Sequence, residues 1–86
     1  MRVLIAGGSG FIGRNLIEKL LIHTGYKIFN IDKNGYASDE IIIDNNLKDR
    51  YKFINYDLSD SSKIQEIIFQ INPDLKIFKY ILNKIF

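Results

Sequence analysis

The residues with the clearest chemical potential are glycines that follow a short apolar run near the start of the chain. Gly8, Gly10 and Gly13 satisfy the spacing G-x-G-x-x-G, and Gly7, Gly10 and Gly13 satisfy the wider G-x-x-G-x-x-G. In such a loop the early glycines allow a tight turn, the middle one lets a pyrophosphate approach the backbone, and the last lets a helix pack closely on a strand. The spacing therefore predicts a phosphate-binding turn between a strand and a helix.

The helix after this turn would begin at Phe11 and direct its amino terminus at the ligand. The first N–H groups of a helix have no partner inside it, and the positive end of the helix dipole lies there. We therefore expect the N–H groups of Phe11 and Ile12 to bind the phosphates. The alternative is a glycine-rich turn that binds no ligand.

An acidic residue, Asp32, stands 19 positions after Gly13, where a second strand would end. In dinucleotide-binding folds such a carboxylate accepts hydrogen bonds from the adenosine ribose and repels a 2′-phosphate, so Asp32 predicts NAD over NADP. Lys33 follows directly, and its charge would offset part of that repulsion, which leaves NADP as the alternative. Without a ligand, Asp32 would be a solvated carboxylate that caps a turn.

Asp57 and Leu58 follow the third predicted strand in the same way. We expect them to line the adenine part of the site. The alternative for Asp57 is that it helps to start the next helix.

Composition excludes several other classes of function. The 86 residues include no cysteine and one histidine, which removes disulfides and thiolate nucleophiles and argues against a zinc site. The net charge of +2 comes from 12 basic and 10 acidic residues scattered along the chain, so we expect no nucleic-acid partner. The absence of cysteine makes the cytoplasm the expected compartment. The apolar run from Val3 to Ala6 is too short to span a bilayer, so we expect no membrane partner.

Hydrophobic periodicity predicts the elements that must position these residues. Strands are predicted at Arg2–Ala6, Lys27–Ile31 and Tyr51–Tyr56, and helices at Phe11–His23 and Ser59–Ile71, the second capped by Asp60 or Ser61; Tyr36–Asn46 is a loop or a short helix. This order implies parallel strands joined by right-handed crossovers. The fold class is therefore α/β, the first half of a Rossmann-type doubly wound parallel sheet in three α/β/α layers, with three strands or four.

In order and spacing, these motifs resemble the start of the extended short-chain dehydrogenase/reductase family, the NAD-dependent epimerases and dehydratases. The resemblance runs from Arg2 to about Leu75 and includes, besides the glycine loop, Asp32-Lys33 with Tyr36-Ala37, Asp57-Leu58 and Pro73-Asp74-Leu75. The Asp-Lys-x-x-Tyr-Ala segment is most similar to the dTDP-glucose 4,6-dehydratase branch, although Asn34-Gly35 stand where that branch usually carries Leu-Thr. UDP-glucose 4-epimerases share the glycine loop.

The resemblance implies bound NAD, contacted also by Lys33, Asn34 and Gly35, and a nucleotide sugar as the substrate of the complete enzyme. It also implies a catalytic Tyr-x-x-x-Lys motif and a substrate lobe later in a longer chain. Tyr80 and Lys84 match that spacing but come directly after the fourth strand position, so we assign them no role. We therefore expect this chain to hold no catalytic residue and to be inactive alone.

Residues 76–86 depart from the family pattern, which divides the chain into an NAD-binding half-domain at 1–75 and a divergent tail. The family pattern predicts a strand at Leu75–Phe78, whereas the apolar spacing after Asn72 favours a helix; of the two we expect the strand. Lys76 and Lys79 would be unfavourable in a strand buried on both faces. We expect a reading frame interrupted near residue 76 and self-association through an apolar tail and an open sheet edge. A free-standing dinucleotide-binding module, or one piece of a split enzyme such as UDP-glucose 4-epimerase, is the alternative.

Overall fold

The strands and helices of the described residues follow one another in the order that the sequence predicts. The computed structural model describes residues 1–7, 10–33, 47, 49–60 and 62–78, with Phe11 and Phe78 described by their backbone only. Within these ranges the elements are β1 (Arg2–Ala6), α1 (Phe11–His23), β2 (Lys27–Asp32), β3 (Tyr51–Asn55), α2 (Ile64–Ile71) and β4 (Leu75–Phe78). The predicted loop or helix at Tyr36–Asn46 and the tail at 79–86 lie outside the described residues.

The sheet is parallel throughout, with strand order β3-β2-β1-β4. The chain moves outward from β1 to β2 and β3, then returns across the sheet to place β4 on the other side of β1. This reversal is the feature that defines a doubly wound sheet, and the ligand crevice of such folds lies at the carboxyl ends of the strands. The predicted α/β fold class is therefore confirmed, with four strands.

Strand β1 is the centre of the core because helices cover both of its faces. On one face, Val3 and Ile5 pack in a cluster with Ile17 of α1. On the other face, Leu4 packs in a cluster with Ile71 of α2. Burial on both faces explains why β1 is a continuous apolar run with no alternation, and it gives the predicted three-layer arrangement.

Residues Leu75–Phe78 form a strand, β4, as the family pattern predicts, and not the helix that the apolar spacing favours. Its register on β1, with Val3 opposite Leu75, is held by two hydrogen bonds. The Asp74 N–H donates to the Arg2 carbonyl at 2.8 Å, and the Arg2 N–H donates to Asp74 Oδ2 at 2.7 Å. Lys76 is exposed, so the expected burial of a charge in this strand does not occur.

Helix α2 starts at Ile64, later than the predicted start at Ser59. Two Asp side chains fold the intervening residues into turns: Asp57 Oδ1 accepts the Ser59 N–H at 2.9 Å, and Asp60 Oδ1 accepts the Ser62 N–H at 3.0 Å. Such side-chain hydrogen bonds offer the backbone an alternative to helix. Asp60 therefore shapes the turn before the helix and is not its cap, and Ser61 lies outside the described residues.

Asn72 ends helix α2, as the sequence predicts, and does not begin a tail helix. Its backbone is left-handed, with φ 50° and ψ 60°, and its N–H donates to the Ile68 carbonyl at 2.9 Å. Asparagine adopts this conformation more readily than most residues. Pro73 follows and prevents the helix from continuing.

Candidate functional site

Several of the chemistry-bearing residues that the sequence singles out lie in the described ranges and meet at the carboxyl edge of the sheet. Two backbone hydrogen bonds continue the strand pairing beyond the ends of the strands: the Gly7 N–H donates to the Ile31 carbonyl at 2.7 Å, and the Tyr56 N–H donates to the Asp32 carbonyl at 3.1 Å. They draw the ends of β1, β2 and β3 into one row. Gly7, Asp32 and Asp57 therefore share one edge.

Gly7 is the point at which the chain leaves β1. It is buried and has φ 77°, in the left-handed region that favours glycine. A side chain at this position would strain the backbone of the turn. The prediction that an early glycine makes the tight turn therefore has a direct structural reason.

The amino terminus of α1 opens onto the same edge. Gly10 is its N-cap, with extended backbone (φ −78°, ψ 178°), and its carbonyl accepts the Arg14 N–H at 2.9 Å as the first helical bond. No side chain caps this end, and the first turn carries no acidic residue. The N–H groups of Phe11, Ile12 and Gly13 have no partner within a helix, so this end can bind an anion.

Gly13 and Ile12 occupy different environments in the first turn of α1. Gly13 is buried, as expected of the glycine that brings helix and sheet close together. Ile12 is exposed. Gly8 and Ser9, between Gly7 and Gly10, lie outside the described residues.

Asp32 is the last residue of β2 and is half-buried. Its Oδ1 accepts the N–H of Lys33 at 2.7 Å, which orients the carboxylate at the strand end. The side chain of Lys33 is exposed. Asn34 and Gly35, the other predicted cofactor contacts in this segment, lie outside the described residues.

Asp57 follows β3 and folds a turn around itself. Its Oδ1 accepts the Ser59 hydroxyl at 2.7 Å as well as the Ser59 N–H. These hydrogen bonds, the hydroxyl one above all, hold the pKa of Asp57 below its ordinary value, and the positive charge of Lys33 lowers the pKa further. Asp57 therefore stays ionised beside Lys33, and its neighbour Leu58 is exposed at the same edge.

Tyr56 belongs to this edge although the sequence did not single it out. Its hydroxyl donates to the Asp60 carbonyl and accepts the Lys63 N–H at 3.1 Å, tying the loop after β3 to the start of α2. The Ser62 N–H on Asp60 lowers the pKa of that carboxyl as well. Asp-x-Ser, which occurs at Asp57 and again at Asp60, is the sequence signal that predicts such turns.

The opposite edge holds the one histidine of the chain. His23 is exposed in the last turn of α1, about 18 Å along the helix from Phe11. His23 therefore lies outside the carboxyl-edge site. In the described part of the chain, no group of three His, Cys, Asp or Glu side chains is placed to hold a metal ion. Nor is any helix there long and apolar enough to cross a membrane.

A parallel sheet that reverses at β1, a glycine turn into α1 and a carboxylate at the end of β2 together define a Rossmann-type nucleotide-binding fold. The model of the GDP-mannose 4,6-dehydratase family matches residues 4–77. The chain belongs to this family.

Curated relatives of known name resemble the chain over most of its length. The dTDP-glucose 4,6-dehydratase of Salmonella typhimurium is 39% identical over 75 residues, which cover 86% of this chain and 21% of that enzyme. The dTDP-glucose 4,6-dehydratase of Haemophilus influenzae is 39% identical over 77 residues, covering 86% of this chain and 22% of the enzyme. The chain thus spans about a fifth of the length of these relatives, in agreement with the resemblance to an amino-terminal region.

A solved structure gives the same picture of the fold. The Bordetella bronchiseptica enzyme WbmG, determined in complex with NAD, superposes with a TM-score of 0.71 at 26% sequence identity. The superposition covers 92% of this chain and 24% of WbmG.

Proposed function

We propose that this chain binds NAD at the carboxyl edge of its sheet, as the cofactor-binding part of an enzyme of the dTDP-glucose 4,6-dehydratase type. The observation that carries the proposal is the uncapped amino terminus of α1, placed by the turn at Gly7 on the same edge as Asp32. The NAD complex of WbmG and the identity to two dTDP-glucose 4,6-dehydratases support it.

The residues present fit a dinucleotide in two places. The pyrophosphate would lie against Gly10 and the N–H groups of Phe11 and Ile12, where a helix dipole and unpaired donors favour negative charge. The adenosine ribose would lie at the end of β2, where the Asp32 carboxylate can accept hydrogen bonds from its hydroxyls. The adenine would then reach the end of β3, beside Asp57 and Leu58.

The charges at this edge favour NAD over NADP. Asp32 and Asp57 place two carboxylates near the ribose position, and both would repel a 2′-phosphate. Lys33 is the opposing charge, but it interacts with Asp57 and is partly compensated by it. The balance therefore disfavours a second phosphate.

Bound NAD supplies the hydride acceptor and donor for redox steps on a nucleotide sugar. In this proposal, the described residues bind and orient the cofactor, and the acid–base groups that act on the sugar come from outside the Rossmann half. We therefore propose that the 86-residue chain binds NAD without turning over a nucleotide sugar.

Calorimetry with Gly10→Val tests the site. Gly10 has extended backbone that valine also adopts, so the substitution adds bulk at the pyrophosphate position without straining φ. We expect NAD affinity to fall on the order of a hundredfold, about 2.7 kcal/mol.

Gly25→Val is the matched control. A Cβ added at Gly25 meets nothing within 4 Å, and this glycine follows the far end of α1. It should bind NAD as wild type does. Equal NAD affinities of wild type and folded Gly10→Val would refute the assignment of the pyrophosphate position.

A further inference from the structure

A second concave surface lies at the amino-terminal ends of the strands, away from the proposed cofactor edge. One groove of about 380 Å³ runs between α2 and the strands β2 and β3, and an adjoining groove of about 230 Å³ continues across the strand ends. The two share Arg2, Phe29 and Lys52 in their linings. We refer to the two grooves together as the polar-end groove, because charged side chains line them at the amino-terminal ends of the strands. The larger part has the size of small-molecule sites in general.

Strand register brings three cations to this groove from distant parts of the sequence. Arg2 lies opposite Lys27 in the pairing of β1 with β2, and Phe29 lies opposite Lys52 in the pairing of β2 with β3. Because side chains alternate along a strand, residues 2, 27, 29 and 52 all belong to the face that carries α2. Three of the 12 basic residues that look scattered in the sequence are therefore grouped here.

The cations are available to a ligand. Lys27 and Lys52 are exposed, and neither forms an ion pair with a carboxylate of the described residues. Asp49 is the acidic side chain in the lining. The groove consequently carries an excess of positive charge.

Arg2 is already held in place. Its Nε donates to the Ile71 carbonyl at 2.7 Å, and its guanidinium carbon lies 5.0 Å from the centroid of the Phe29 ring. A guanidinium has five N–H donors, so this bond leaves others for an anion. A fixed arginine loses less side-chain entropy on binding than a free one.

The floor beneath these charges is apolar. It consists of the half-buried Phe29, Ile54 and Ile67 and the buried Ile71, with Gln70 exposed at the α2 side. An aromatic or aliphatic body can therefore be covered while an acidic group remains among the cations. A molecule that has both an apolar body and an acidic group would use both features of the groove.

We propose that the polar-end groove binds a small phosphate monoester with an aromatic body. The aromatic body lies on Ile54 and Ile67, beside the Phe29 ring that Arg2 covers, and the phosphate lies among Arg2, Lys27 and Lys52. Three cations favour a doubly charged group over a carboxylate because each adds its own attraction. This site is separate from the proposed NAD site and does not depend on it.

Phenyl phosphate is the probe, and amide chemical shifts of the full chain in a titration are the measurement. We expect saturable shifts at Arg2, Phe29 and Lys52, with a dissociation constant of about 1 mM or lower. Inorganic phosphate and phenol should each bind at least about tenfold more weakly, since each lacks half of the recognised chemistry. Equal binding of inorganic phosphate, or shifts confined to residues 10–13, would overturn the proposal.

A charge-reversal variant tests whether the phosphate of phenyl phosphate lies beside Lys52. Lys52→Glu should weaken phenyl phosphate at least about tenfold, whereas Lys19→Glu, on exposed α1 surface, should leave the affinity unchanged. Lys52→Gln gives a second, milder variant if the charge reversal disturbs folding. Gly10→Val should bind phenyl phosphate as wild type does, which distinguishes this groove from the glycine turn. Wild-type affinity in both Lys52 variants would refute the assignment.

Discussion

Three charged residues at adjacent strand ends set the electrostatics of the proposed cofactor site. Asp32 ends β2, Lys33 follows it, and Asp57 lies just beyond β3. Lys33 donates its N–H to Asp32, and its positive charge lowers the pKa of Asp57. The lysine adjacent to the ribose position is thus bracketed by two carboxylates, an arrangement that the sequence order Asp32-Lys33 does not reveal.

Asp32→Ala should reduce the discrimination between NAD and NADP. The substitution removes an acceptor for the ribose hydroxyls and a charge that repels the 2′-phosphate, so NAD affinity should fall about tenfold or more and NADP affinity much less. Calorimetry with both cofactors on wild type and variant measures the ratio. A wild-type preference for NADP would show that Asp32 does not act on the ribose in this way, by binding its hydroxyls and repelling a 2′-phosphate.

The lowered pKa of Asp57 predicts that the free energy of unfolding depends on pH. Its pKa is lowered in the folded chain, so the contribution of the carboxylate is present above its ordinary pKa, about 3.9, and is lost as pH falls through the lower folded value. Asp57→Asn should therefore be less stable than wild type at pH 7, with a difference that shrinks below about pH 4.

Urea denaturation at pH 7 and at pH 3 measures this difference. Asp49→Asn, at the other edge of the sheet, controls for the general loss of negative charge. A difference for Asp57→Asn that stays constant across the two pH values would contradict the assignment of the Ser59 turn to the ionised carboxylate.

The residues of the candidate site could be read from the sequence where a backbone requirement fixes the residue type. Gly7 is one example, because its left-handed backbone favours glycine. The spacing of the glycines in the sequence singles out this position. The Asp57–Ser59 turn and the hydroxyl of Tyr56 were missed as parts of the edge because their partners depend on where α2 begins. Side-chain hydrogen bonds decided that start, and hydrophobic periodicity does not detect them.

At the scale of elements, the hydrophobic pattern of a segment and its pairing in the sheet favour the same secondary structure, except near β4. Leu75, Phe78, Leu82 and Ile85 recur at a spacing that also suits a helix. Pairing with β1 prevails because it satisfies the backbone groups of the central strand on its second side and adds the Arg2–Asp74 hydrogen bonds. The family pattern contained this long-range information, and local periodicity did not.

Arg50 joins three elements and should be important for stability. Its guanidinium donates to the Leu21 carbonyl near the end of α1 at 2.5 Å and to the Tyr26 carbonyl before β2 at 2.8 Å, while its own carbonyl accepts the Ile28 N–H. Arg50→Ala leaves two partly buried carbonyls without these donors. We expect it to lower the free energy of unfolding by about 2–3 kcal/mol.

Urea denaturation checks this value. Arg50→Lys is the informative comparison, because one ammonium cannot reproduce the two donors in the geometry of a guanidinium and should restore only part of the loss. Stability of Arg50→Ala within about 0.5 kcal/mol of wild type would show that solvent replaces both hydrogen bonds.

At the scale of the whole molecule, the two faces of the sheet are unequally covered. The α1 face holds a cluster with six buried residues, Val3, Ile5, Ile17, Leu21, Ile28 and Tyr51, within the described ranges. The α2 face holds three, Leu4, Ile31 and Ile71. Its helix has 8 residues against 13 in α1. The α2 side therefore has the smaller buried core within the described ranges.

We predict that the chain self-associates through this side of the molecule. Phe69 on α2 is 83% exposed, the highest value among the large apolar side chains of the described residues, and an apolar side chain so placed favours association. Sedimentation velocity should show a mean mass that rises with concentration. Phe69→Glu should weaken association about tenfold, whereas Ile22→Glu, at an exposed apolar position on α1, should not. A monomer at all concentrations, unfolding cooperatively with protected amides through Ile85, would show instead that the tail completes a small stable domain.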